Sequence, residues 1–146
     1  MIVNKKNEIE VLKEVQKNTE MAMKAIETIT PKVYDDGLAL QLSRQALKYS
    51  AIHNKAVDGI LEDRAMPYPA NAVKDAMLTG GIHMNTMFDT SSSHIAELVI
   101  QGSNRGLTSM WKTLNQYGEA SGKSMEVAKE LMDFEEKSIE ILKKYL

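Results

Sequence analysis

Apolar side chains recur every three or four residues in four long stretches of the chain, a spacing that lines them up on one face of an α-helix. In the first, from about residue 6 to 29, the stripe is Ile9, Leu12, Val15, Thr19, Ala22, Ile26 and Ile29, with Lys13, Glu14, Lys17 and Lys24 on wetter faces. Thr30-Pro31 ends it, because proline has no amide hydrogen and disfavours helical geometry in the residue before it. A second stripe, Leu38, Leu42, Ala46, Tyr49, His53, Ala56 and Ile60, predicts a helix from about 36 to 63. Pro67 and Pro69 mark the connection after it.

A shorter helix is predicted over about 70–88, offering Val73, Met77, Ile82, Met84 and Met87 for burial, with a kink at Gly80-Gly81. Asp89-Thr90-Ser91-Ser92-Ser93 gathers side chains that accept hydrogen bonds from free amides, so a helix N-cap belongs among them. The third long helix then runs to about Tyr117 with Ile95, Val99, Gly102, Gly106, Met110 and Leu114 inward, its glycines thinning one face so that another backbone can approach. Gly118 to Gly122 ends it. The last stripe is Val127, Leu131, Phe134, Ser138, Ile141 and Tyr145, while Lys143 and Lys144 suit the negative end of a helix. No segment alternates as a strand would, and no repeat of fixed period suggests a solenoid. The expectation is an all-α fold, a four-helix bundle in one domain over residues 1–146. A shorter crossover helix between the second and third long helices would let those two run parallel.

At 146 residues the chain is long enough to bury a core without staples. Its 18 Lys and Arg against 20 Asp and Glu leave a net charge of −2, which gives no broad field for nucleic acid or anionic membrane. The absence of cysteine excludes disulfides, thiolate metal sites and cysteine nucleophiles. The opening Met1-Ile2-Val3-Asn4-Lys5-Lys6 turns polar before any long apolar core, and no apolar run is long enough to span a membrane, so a cytoplasmic protein is expected.

The helix lengths, the short crossover helix and the ending Glu135-Glu136-Lys137-Ser138-Ile139-Glu140-Ile141-Leu142 resemble the ferritin-like superfamily, nearest to small bacterial rubrerythrin-related domains of unassigned function. In metal-binding relatives two helices each contribute a glutamate and two each contribute a Glu-x-x-His pair. Carried onto this chain, the resemblance keeps only pieces. Glu20 is the candidate glutamate of the first helix, and Ser50-Ala51-Ile52-His53 has the histidine without the carboxylate. On the third helix stand the neutral Gln101 and Asn104, and Glu135-Glu136-Lys137-Ser138 has the carboxylate without the histidine. Two carboxylates and one imidazole are too few for a dinuclear centre.

The resemblance therefore implies a non-enzymatic bundle whose metal centre has become a polar cluster of Glu135, His53, Tyr49 and Gln101, with a structural or protein-interaction role. No cofactor is expected on this reading, and a homo-oligomer, a dimer first, is. Its alternative is a metal-binding protein for storage, sensing or redox protection, holding iron, manganese or zinc on Glu20, His53 and Glu135 with Tyr49 and Gln101 behind them. A second alternative is copper, held by imidazole and thioether in His83-Met84-Asn85-Thr86-Met87 with His94 beyond. Methionine is more simply a flexible filler of helix interfaces. Ser91, Ser92 and Ser93 beside His94 suit a cap better than a nucleophile, since no strained nucleophile turn accompanies them. Trp111 and Tyr117 suit the core or an oligomer contact equally. The crossover helix could pack on its own bundle or be exchanged with a neighbouring subunit.

Overall fold

Every regular element among the described residues is helical: α1 (Lys5–Ile29), α2 (Asp36–Glu62), α3 (Ala72–Thr86), α4 (Ser92–Gln116) and α5 (Lys123–Leu142), with short 3-10 turns at Thr30–Lys32 and Lys143–Tyr145. The structure is a computed structural model and describes residues 5–118 and 122–146. The opening residues 1–4, and residues 119–121 of the predicted Gly118–Gly122 break, lie outside the described residues. The all-α reading is therefore correct. None of the helices described is long and apolar enough to cross a membrane.

Three starts are fixed by side chains that take up amides which a first helical turn leaves without partners. Asp35 accepts from Leu38 N at 2.8 Å, Asn71 from Lys74 N at 3.1 Å, and Ser91 from His94 N at 3.2 Å. The serine cluster therefore works as the expected cap. Ahead of α5, Gly122 adopts φ 65°, a left-handed conformation that costs glycine nothing.

Helix α1 packs on α2 and α4, α5 packs on the same two, and α3 lies against α1. Leu12 of α1 meets Gly59 near the far end of α2, so those helices are antiparallel. Contacts between α2 and α5 give the same relation: Lys123 reaches Glu62 at 3.2 Å, and Lys55 and Lys48 both reach Glu130 at 2.9 Å. The short link from α4 to α5, with α4 touching the final turn Lys143–Tyr145, reverses α4 against α5. Helices α2 and α4 thus run in the same direction. The chain between them travels back along α1, where Gln16 clamps the Tyr68 backbone by accepting from its amide at 2.9 Å and donating to its carbonyl at 3.1 Å.

Leu12, Val15, Leu38, Leu42, Ile52, Ile60, Ile95, Met110 and Leu131 are fully buried at the centre. Several predicted stripes sit one residue off. On α2 the interior is taken by Gln45, Tyr49, Ile52 and Ala56, so Ile52 displaces His53, and on α5 Leu142 displaces Ile141. Helix α3 passes through Gly80-Gly81 without a break and buries Ile82 and Thr86, leaving Val73, Met77, Met84 and Met87 exposed. Gly102 has open space around it, whereas at Gly106 a side chain would collide with its neighbours.

Candidate functional site

Glu135 stands at the middle of α5 and is 2% exposed. The heptad-like spacing of α5 puts it on the same inward stripe as Val127, Ala128, Leu131 and Ser138, so a carboxyl is carried into the core with them. Tyr49 of α2 donates its hydroxyl hydrogen to Glu135 Oε2 at 3.2 Å. The hydroxyl of Ser103 on α4 in turn hydrogen-bonds the Tyr49 oxygen. Phe134 holds the tyrosine ring edge-on, with centroids 5.0 Å apart and planes at 80°. Among the described residues, Glu135 Oε1 has no hydrogen-bond partner.

Burial raises the Glu135 carboxyl to about 8, and the Tyr49 hydrogen bond opposes that rise without cancelling it. Glu135 therefore keeps its proton at neutral pH. Burial, and then the carboxyl beside it, push the Tyr49 hydroxyl well above its ordinary range, so it stays a donor.

The carboxyl fits because residue 106 is glycine. A Cβ there would lie 2.8 Å from Glu135 Oε2, 3.0 Å from Oε1 and 3.1 Å from Asn18 Oδ1. Both Glu135 oxygens and Asn18 Oδ1 thus pack against the bare backbone of α4. One turn along, Gln45 and Ser138 are also buried, and both polar atoms of the Gln45 amide and the Ser138 hydroxyl have no partner among the described residues. An unsatisfied buried polar group costs about 1–3 kcal/mol, so the centre of this bundle is less stable than an apolar one would be.

Glu135 and Tyr49 form the floor of a groove of about 890 Å³ between α1, α3 and α4. Its walls are mixed: Ala22 and Ile26 from α1, Ile82 from α3 and Val99 from α4 are apolar, while Asn85 from α3 and Gln101, Asn104 and Thr108 from α4 are polar. Glu14, Lys17, Arg105 and Lys112 bring charge to its lining. Burial raises the Glu14 carboxyl, against the pull of Lys17.

The candidate metal residues are split between two places. Glu20 and His53 face each other at 3.8 Å on the partly exposed seam between α1 and α2, and Gln16 donates to Glu20 at 3.1 Å. Glu135 and Tyr49 are inside. Gln101 and Asn104 are exposed and line the groove, so Ser103, and not Gln101, completes the polar cluster. Among the described residues no three His, Asp or Glu side chains gather as a metal-holding group. At the bundle centre the Glu135 carboxyl stands among neutral groups of the described residues, Tyr49, Asn18 and Gly106, with Ser103 beside the tyrosine, a donor set that does not fit a dinuclear centre, where two cations need several anionic ligands.

In the copper candidate, His83, Met84 and Met87 are exposed on α3. His94 is engaged elsewhere, with Nε2 at 2.8 Å from the Asn85 carbonyl and Nδ1 at 3.4 Å from Glu97, so it ties the end of α3 to the start of α4. Trp111 is about half exposed and Tyr117 packs against the core. Ser103 and the groove itself are the features that sequence reading missed. The spacing Ala96, Val99, Ser103, Gly106, Met110 would have marked Ser103 as inward. The chain matches no family model, no curated protein and no solved structure.

Proposed function

We propose that this chain is a non-enzymatic bundle of ferritin-like layout, a cytoplasmic structural or interaction module that works as a homodimer, with the polar cluster on Glu135 in place of a dinuclear metal site. The order of packing supports the layout: α1 and α5 each lie between α2 and α4, and α2 and α4 run the same way across the α3 connection. The observation that carries the functional reading is the isolation of Glu135. Its carboxyl has a tyrosine for its hydrogen-bond donor, and among the described residues no three His, Asp or Glu side chains gather as a metal-holding group. Exposed Val73, Met77 and Met84 on α3, with Phe88 beyond its end at 95% exposure, support self-association.

The test is elemental analysis of untagged protein purified without chelator, with a melting scan in each of iron, manganese and zinc. A metal that binds the folded state raises the melting temperature by mass action. The expected result is no stoichiometric metal and no shift, with light scattering behind a sizing column giving the dimer mass. A stoichiometric ion, or a monomer, refutes the corresponding part.

One observation favours a second reading. The Glu20 and His53 pair, 3.8 Å apart and open to solvent, is the place for a single weakly held zinc, iron or manganese ion. On that reading His53→Ala abolishes the metal and Glu135→Gln leaves it in place.

A further inference from the structure

Helix α3 has two unlike faces. Ile82 and Thr86 are buried against the bundle, and half a turn round the helix stand Val73, Met77, Met84, Met87 and Phe88, each between 65% and 95% exposed. Their spacing keeps the three-four rhythm of a packed helix face, and no charged residue stands among them. Met87 retains helical angles, φ −55° and ψ −42°, so the stripe carries on past the last helical residue towards Phe88. At roughly 150 Å² for a bare side chain of this size, the stripe exposes on the order of 600 Å² of apolar surface. That is the upper end of what a monomer leaves to water, and approaches the ~800 Å² that each partner gives to an ordinary stable interface.

The stripe is also symmetric. Its midpoint falls between Gly80 and Gly81, and counted outward from there Met77 and Met84 are equidistant, as are Val73 and Phe88. Reversing the helix therefore exchanges apolar positions for apolar positions, which is the self-complementarity that an isologous contact between two antiparallel copies requires. The glycines fit the same arrangement. Glycine weakens a helix interior, and within the single chain neither position needs it, because a Cβ at Gly80 or Gly81 would meet nothing within 4 Å. Where two helices cross, a surface bare of side chains lets the axes come close.

We propose that this face binds a second copy of the chain, the two α3 helices lying antiparallel and crossing at Gly80-Gly81, with Met77 against the partner's Met84 and Val73 against the partner's Phe88. The proposal rests on the homodimer reading and deepens it by assigning the contact. Antiparallel alignment also sets each helix N-terminus beside the partner's C-terminus, where the two macrodipoles attract. The rival surface is smaller: Leu40 and Leu47 of α2 are 52% and 73% exposed, and the exposed Arg44 stands between them on the same face.

The chain has no cysteine, so introduced thiols report the contact without background. In the antiparallel pair the two copies of residue 77 lie about 10 Å apart along the axis, whereas residue 77 lies beside the partner's residue 84. A disulfide needs Cα atoms within about 7 Å. Full-length Met77→Cys and Met84→Cys chains, mixed, allowed to exchange and mildly oxidised with diamide, should therefore join covalently at least fivefold more than either chain alone. Light scattering behind a sizing column should show Met84→Glu dimerising at least tenfold more weakly than the native chain, with an unchanged circular dichroism spectrum, and Leu47→Glu dimerising as the native does. A Met84→Glu chain that dimerises normally, or thiol chains that join no better mixed than alone, overturns the proposal. If the native chain is dimeric in that case, the homodimer reading stands through another face, with Leu47→Glu the variant that breaks it. A native chain that is monomeric at hundred-micromolar concentration defeats both, and leaves the face to a different protein.

Discussion

Replacing Glu135 by glutamine should remove a pH dependence that the native chain carries in its core. In the folded state the carboxyl sits at about 8 against an ordinary value of 4.5. The folded state therefore holds a proton that the unfolded chain gives up between those two values. Stability from this group is complete below about pH 4.5, declines as pH rises through the interval, and is lost above about pH 8. At about 1.4 kcal/mol for each pH unit, the interval between 4.5 and about 8 is worth roughly 5 kcal/mol. Domains of this size have about 5–15 kcal/mol in all, so the effect is large enough to dominate an unfolding curve. Urea denaturation of the native chain and of Glu135→Gln at pH 5 to 9 reads it. With a slope of about 2 kcal/mol per molar urea, the native midpoint should fall by about 2 M relative to the variant across that range. Every other titrating group is common to both proteins and cancels in the difference. A difference that stays constant from pH 5 to pH 9 refutes the reasoning, because it would mean that the carboxyl ionises in the fold as freely as outside it.

Three further outcomes follow from the same packing. Gln45→Leu removes an amide with neither polar atom partnered, and should raise stability by about 1–3 kcal/mol in urea denaturation at pH 7. Gly106→Ala places a methyl 2.8 Å from Glu135 Oε2 and should cost about 1–3 kcal/mol, whereas Gly102→Ala meets nothing within 4 Å and should gain about 0.5–1 kcal/mol as a better helix former. Asp35→Ala loses the acceptor of the Leu38 amide and should cost about 1 kcal/mol, seen as a lower melting temperature.

The helices were legible because their signals are local. Proline after Thr30, the serines before His94 and the three-four spacing of apolar residues act within a turn or two, and each marks a boundary that the structure has. Which residue of a helix points furthest inward was harder, since it depends on the neighbours. His53 and Ile52 are adjacent on α2, and a stripe stepping from Tyr49 by four residues selects one while a step of three selects the other. Packing on α1 and α5 selects Ile52 and turns His53 to the seam, where Glu20 meets it. Helix α3 misled for a related reason, because its methionines match the composition of an interface and yet face outward within a single chain. Glu135 was recognised as a central residue from its place in the last helix. Its surroundings came from three other helices, and one of the partners, Ser103, is a residue type that hydropathy discards.

The central claim is that the carboxyl at the heart of the bundle is a neutral acid held by Tyr49 over Gly106, and it can be read at the atom concerned. Titration of the Glu135 side-chain carboxyl carbon by NMR, in protein stripped of metal, should give a midpoint near 8. A midpoint near the ordinary 4.5 would contradict the account, since it would place an ionised carboxylate in a core that has no charge to receive it.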